Sequence, residues 1–117
     1  MDGPDDADLA DVLASAADGL AGVAAREETG TTTWRAVGTS GAEAVPFATL
    51  TGRRAEFRLD PVVARAALRT ADTTPSPRGP EWVTFEPGEL DDAAIDRAEA
   101  WFLSAHRHAS IACRPRG

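Results

Sequence analysis

The chain has no lysine, no asparagine and no glutamine, so all twelve of its fixed positive charges are arginines. Such a bias fits the codon usage of a GC-rich genome, with a salt-adapted source as the second reading, and in itself says little about function. The missing lysine also excludes a phosphate-binding loop of the Gly-rich Lys-Ser/Thr type. A single cysteine, Cys113, excludes any internal disulfide, and a reducing, cytoplasmic location is the expectation. No apolar run approaches the length that crosses a bilayer, so no membrane partner is expected. The N-terminus, Met1-Asp2-Gly3-Pro4-Asp5-Asp6, is acidic, unlike a signal or transit peptide.

What is present describes an ordinary folded domain. With 117 residues, 43% hydrophobic and 26% charged, the chain can bury a core without staples and does not read as disordered. Net charge is −7, unevenly spread. Residues 1–30 hold eight acids and one arginine, residues 31–78 seven arginines and four acids, and residues 79–117 seven acids and four arginines. The middle of the chain is therefore positive between acidic flanks.

Residues 4–18 predict an amphipathic helix, with Pro4, Asp5 and Asp6 in its first turn, an apolar stripe through Leu9, Val12, Leu13, Ala16 and Ala17, and Gly19 as its stop. The period then changes to two. Strands are expected at Val23–Glu28, Thr31–Val37, Val45–Thr51 and Arg54–Leu59, with turns at Thr29-Gly30, Gly38–Gly41 and Gly52-Arg53. In the fourth, Ala55, Phe57 and Leu59 alternate with Arg54, Glu56 and Arg58, which is the pattern of a sheet covered on one side only. Asp60-Pro61 starts a second helix to about Arg69, with Val62, Val63, Ala66 and Leu68 expected inward. Ala71–Pro80 reads as a loop, Trp82–Phe85 as a short strand, and Asp91-Asp92 as the start of a last helix whose stripe includes Ala94, Ile95, Ala98, Trp101, Phe102 and Ala105. The expectation is a single α+β domain over residues 1–109, with an antiparallel sheet of four to five strands, helices on one face in the order α-β-β-β-β-α-β-α, and a flexible tail at 110–117.

Several residues carry a resemblance. Gly22-Val23, Arg26 and Gly30 are followed by Phe47-Ala48-x-Leu50, then by Ala55-Glu56-Phe57-Arg58-Leu59 leading into Asp60-Pro61, by Gly79-Pro80-Glu81-Trp82-Val83 and by Ala100-Trp101-Phe102. From Leu20 to Ala109 this resembles the luciferase-domain family of small bacterial and fungal proteins and, more distantly, the MmcQ/YjbR-like and TfoX N-terminal domains. The resemblance implies the α+β architecture, and through the YjbR-like domains it implies nucleic-acid binding as an alternative function. It implies no catalytic residues. Where the luciferase-domain pattern often has a histidine, near position 51 or 52, this chain has Thr51-Gly52.

No catalytic or metal-binding constellation emerges from the residues themselves. His106 and His108 lie two apart on a helix, so they point roughly 200° from each other and cannot share a metal as residues four apart could. Their expected role is on the surface, complementing a helix C-terminus. Ser40 stands in Gly-Thr-Ser-Gly, a turn and not a nucleophile elbow. Cys113 beside Arg114 has no histidine at hand and reads as an incidental thiol. Carboxylates at Asp5/Asp6, Asp60 and Asp91/Asp92 already occupy the helix N-termini and would repel a phosphate there. No cofactor is called for.

The cluster that invites a function is on the sheet. The face away from the helices should carry Glu56 and Arg58, with Arg35 or Trp34 beside them, Trp82 or Thr84 beyond, and Arg78 in the preceding loop. Arginine with tryptophan suits the recognition of anions or protein surfaces. Its bland counterpart is a solvated face of cross-strand Glu–Arg pairs with core tryptophans. The expected function is a non-catalytic binding module, its partner a protein, a second copy of the chain or a small anionic ligand. Nucleic-acid binding is disfavoured by the acidic flanks. A small enzyme using Glu56 as acid–base, with Arg58 or Arg78 holding an anionic substrate, is the remaining alternative.

Overall fold

The computed structural model describes residues 8–37 and 44–112. Pro4, Asp5, Asp6, the Gly38–Gly41 turn and Cys113 lie outside them. Three helices and six strands follow in the order α1 (Leu9–Asp18), β1 (Val23–Glu28), β2 (Thr31–Ala36), β3 (Val45–Thr51), β4 (Arg54–Arg58), α2 (Pro61–Ala67), β5 (Thr73–Pro75), β6 (Trp82–Phe85) and α3 (Asp92–Ala112). The strands form one antiparallel sheet in the order β1-β2-β3-β4-β6-β5. The fold is α+β, as the alternation in Arg54–Leu59 implies. The sheet has one strand more than expected, because the proline-rich segment contains β5. That strand has only three residues and ends at Pro75, too little periodicity to stand out in sequence.

Helix starts follow from carboxylates. α1 begins at Leu9 instead of Pro4: Asp8 is its cap and accepts a hydrogen bond from the Asp11 amide at 3.0 Å. Asp60 accepts from the Val62 amide at 3.0 Å and Asp91 from the Ala94 amide at 2.9 Å, as the sequence suggests for α2 and α3. α2 departs from expectation in its orientation. Its buried residues are Ala64 and Ala67, whereas Val62 is 72% exposed and Leu68 is exposed too. A helix of only seven residues covers the sheet chiefly with Ala64 and Ala67; Val63 packs partly against the core as expected, and Ala66, expected inward, is exposed. α3 continues through Ser110 to Ala112 and is the long element of the helical layer.

The three helices cover one face. Trp34 and Ala36 of β2, Ala48 and Leu50 of β3, Ala55 and Phe57 of β4, and Val83 and Phe85 of β6 meet Leu9, Val12 and Leu13 of α1, Ala64 and Ala67 of α2, and Ala94, Ala98, Phe102, Ala105 and Ala109 of α3 in a single buried cluster. A bulge enlarges it. Trp34 pairs with Ala48 but Arg35 pairs with Pro46, so Phe47 is the extra residue, and both Phe47 and Ala48 are buried. The Phe102 ring is thereby met edge-on by Trp34 at 5.4 Å and by Phe47 at 5.1 Å.

Connections place the remaining strands. β4 and β5 both run antiparallel to β6, hence parallel to each other, and α2 carries the chain from one to the other past β6. Gly22, at φ +71°, enters β1 where a Cβ would stand 3.0 Å from the Val37 carbonyl oxygen, so glycine is required there. β1 and β2 are joined by Thr29-Gly30, with φ of 54° and 81°, the two positive values of a type I′ hairpin loop. Threonine is β-branched and strained at such a φ.

Two measurements check this account. Phe102→Ala should lower unfolding free energy by about 3–5 kcal/mol in urea titration, as for truncation of a buried aromatic, whereas the exposed Val62→Ala should change it by less than about 0.5 kcal/mol. Thr29→Asn, which tolerates the left-handed region, should raise stability by about 0.5–1 kcal/mol.

Candidate functional site

The uncovered face is built by register. Arg26, Thr33, Thr49, Glu56, Thr84 and Thr74 form one row across all six strands. Arg58 pairs with Trp82 in the row on one side of Glu56, and Arg54 pairs with Thr51 in the row on the other. Arg35 shares this face, and Trp34 belongs to the core. Trp82 and Thr84, two apart on β6, are both here.

Glu56 is the centre of the row. Its side chain is only 12% exposed although no helix covers it. The cover comes from the chain after β5: Ser76 Oγ donates to Glu56 Oε2 at 2.7 Å, and Arg78 Nε donates to Oε1. Thr49 Oγ1 donates to Oε1 at 3.3 Å and Thr84 Oγ1 to Oε2 at 3.4 Å, each from a directly neighbouring strand. The Arg78 amide in turn donates to Ser76 Oγ at 3.1 Å. Burial pushes the Glu56 pKa up, but the donors Arg78, Ser76 and Thr49, with the charge of Arg78, outweigh it and hold the carboxyl below its ordinary value of 4.5. Arg78 is fixed twice, by this carboxylate and by the Trp82 ring, whose centroid lies 5.4 Å from its guanidinium carbon.

Of the five residues singled out from sequence, the structure brings Glu56, Arg78 and Trp82 together. Arg58 is drawn elsewhere: its Nε donates to Glu81 Oε1 at 3.1 Å, and the same oxygen lies 3.3 Å from His108 Nε2 on α3. The His108 hydrogen bond, with Arg58, holds Glu81 below the ordinary carboxylate range against its partial burial. Arg35 lies two strands from Glu56, and its side chain makes no hydrogen bond or ion pair among the described residues. The expectation of two surface histidines is corrected. Both are half-buried. His106 packs against the Phe47 ring at 5.3 Å and contacts Ser110 Oγ at 3.3 Å, and burial lowers its pKa against a backbone hydrogen bond with Ala21.

Ser76 escaped the sequence reading altogether, because a serine in a proline-rich stretch carries no sign of a buried partner twenty residues away. Two of the depressions among the described residues bear on the site. One, of about 340 Å³, lies on the open face between Thr51, Arg54, Glu56, Pro77 and Arg78. The other, of about 350 Å³, lies where the start of α1 meets the β3–β4 turn, lined by Asp8, Leu9, Ala10, Gly52, Arg53, Pro87 and Leu90. Among the described residues no three His, Cys, Asp or Glu side chains gather closely enough to hold a metal ion, and no helix is long and apolar enough to cross a membrane. No protein-family model, curated protein or solved structure matches the chain.

The role of Glu56 has a pH signature. A carboxyl whose pKa is lower folded than unfolded stabilises the fold above its unfolded value, near 4.5, and loses that contribution as pH falls through the lower, folded value. Glu56→Gln should therefore cost about 1–3 kcal/mol at neutral pH, the range for a disrupted buried hydrogen-bond partner. In denaturant titrations the gap from wild type should close as the pH drops below that value. A gap constant into strong acid would show that shape, not charge, makes the contribution.

Proposed function

We propose that the protein is a non-catalytic binding module of the cytoplasm that uses the open face of its sheet, with Arg78 and Trp82 at the centre of the contact surface and Arg35 at its flank. The observation that carries this reading is the fixed Arg78–Trp82 pair on a face the helices leave uncovered. An arginine already held in place loses little side-chain entropy on binding, and a tryptophan beside it offers apolar area at low cost, the combination that dominates binding surfaces. The resemblance to the luciferase-domain and YjbR-like families accords with a small α+β domain of this shape.

Catalysis by Glu56 is a poorer fit. A general acid–base works best with a pKa near the operating pH, and Arg78, Ser76 and Thr49 hold this carboxyl below its ordinary value, further from neutrality. Duplex nucleic acid also fits poorly: Glu28 and Glu56 share the face with its arginines, and the whole chain carries −7. A second copy of the chain is one form of the partner.

Affinity capture with the immobilised full chain, paired with sedimentation for self-association, tests the proposal. A partner retained by the wild type should be weakened at least about tenfold by Trp82→Ala and by Arg35→Glu, in variants whose melting temperature shows them folded. Retention unchanged in both variants, with no change in self-association, would rule the open face out.

A further inference from the structure

The depression beside Glu56 has the makings of a specific subsite. Arg54 and Glu56, two apart on β4, project from the same face, and Arg78 reaches the depression from the loop above, so two guanidinium groups line it with one carboxylate between them. Arg78 is bound to Glu56 through Nε, and its Nη1 and Nη2 groups make no hydrogen bond among the described residues. The Arg54 side chain is exposed and makes neither a hydrogen bond nor an ion pair there. Glu56 cancels only one of them: the lining charge is two positive less one negative, a net +1, and its oxygens already accept from Thr49, Ser76, Arg78 and Thr84. Pro77 gives an apolar wall.

We infer that this depression binds the oxyanion group, phosphate or carboxylate, of a small molecule, clamped between Arg54 and the free edge of Arg78. The inference rests on the binding-module reading and names its ligand class. The planar Nη edge of arginine matches an oxyanion through two parallel hydrogen bonds, and the Glu56 and Trp82 contacts orient that edge before the ligand arrives. The volume, about 340 Å³, is at the small end of ligand sites and accommodates a compact molecule rather than a polymer.

The test is an NMR titration of the ¹⁵N-labelled full chain at constant ionic strength, with inorganic phosphate in one series, succinate in a second and chloride as control. Saturable shifts are expected at Thr51, Arg54 and the Arg78 Nε–H, with a dissociation constant of about 1 mM or below for at least one probe. Arg54→Ala and Arg78→Ala should each weaken it at least about tenfold, and Arg65→Ala, exposed on α2 on the helical side of the sheet, should leave it unchanged. Arg54 holds no other side chain in place, so its variant reports on binding even if Arg78→Ala disturbs the loop. A response to phosphate alone assigns a phosphate ester, to succinate alone a carboxylate, and to both an oxyanion of either kind. Shifts no different from those with chloride, or an equal loss in Arg65→Ala, would overturn the subsite. If the subsite fails while partner capture still depends on Trp82 and Arg35, the binding face stands without it.

Discussion

A carboxylate on the wrong side of a sheet organises this molecule. Glu56 lies on the face that the helices leave open, where a charged side chain would ordinarily be solvated and mobile. Here the chain after β5 folds over it, and Ser76, Arg78, Thr49 and Thr84 bring it hydrogen bonds from two strands and a loop. A carboxylate this far out of water is costly unless its acceptor sites are filled, so the loop, the threonines and the charge stabilise one another. Without the carboxylate, Ser76 Oγ and Arg78 Nε lose their shared acceptor, and the Ser76 amide bond to the Trp82 carbonyl and the Arg78–Trp82 contact remain. Without Ser76 and Arg78, Glu56 has no reason to be buried.

That arrangement depends on topology more than on local sequence. Glu56 and Thr84 are 28 residues apart and become neighbours only because the crossover through α2 places β5 at the edge and returns the chain as β6 beside β4. The loop between β5 and β6 is then short and begins next to the open face. The bulge at Phe47 serves the other face, adding an aromatic ring under α3 while leaving Thr49 in register with Glu56. The core and the polar network therefore use the same strands, and the pleat keeps them apart.

These features differ in how far they show in the sequence. The alternation of Ala55, Phe57 and Leu59 with Arg54, Glu56 and Arg58 announces a one-sided sheet, and Asp60-Pro61 announces a helix, because each depends on nearest neighbours along the chain. The placement of Trp82 and Thr84 on one face follows from period two alone. Their position beside β4 does not, since a long connection intervenes and pairing order leaves no trace in periodicity. β5 is too short to have a period. The inward faces of α2 are misread for a related reason: in seven residues, small and large apolar side chains give stripes of equal strength, and packing against the sheet selects Ala64 and Ala67 over Val62 and Leu68. Arg58 and His108 illustrate the limit most directly, for Glu81 joins a strand to a helix across 27 residues and no spacing rule reaches that far.

The all-arginine composition acquires a structural meaning at these two carboxylates. Arg78 meets Glu56 and Arg58 meets Glu81, and both bonds run through Nε, the inner edge of the guanidinium. An ammonium group is a single point of charge and would be largely satisfied by one such carboxylate, whereas a guanidinium held by its inner edge still presents two nitrogens and a flat cationic face. In Arg58 the arrangement ties β4 to the start of β6 and, through the shared Glu81 oxygen, to α3, so it reinforces the scaffold. In Arg78 the guanidinium lies over the Trp82 ring and the residue lines an open depression. The same bond thus fastens the fold at one end of the sheet and, at its middle, holds a guanidinium whose Nη groups make no hydrogen bond among the described residues.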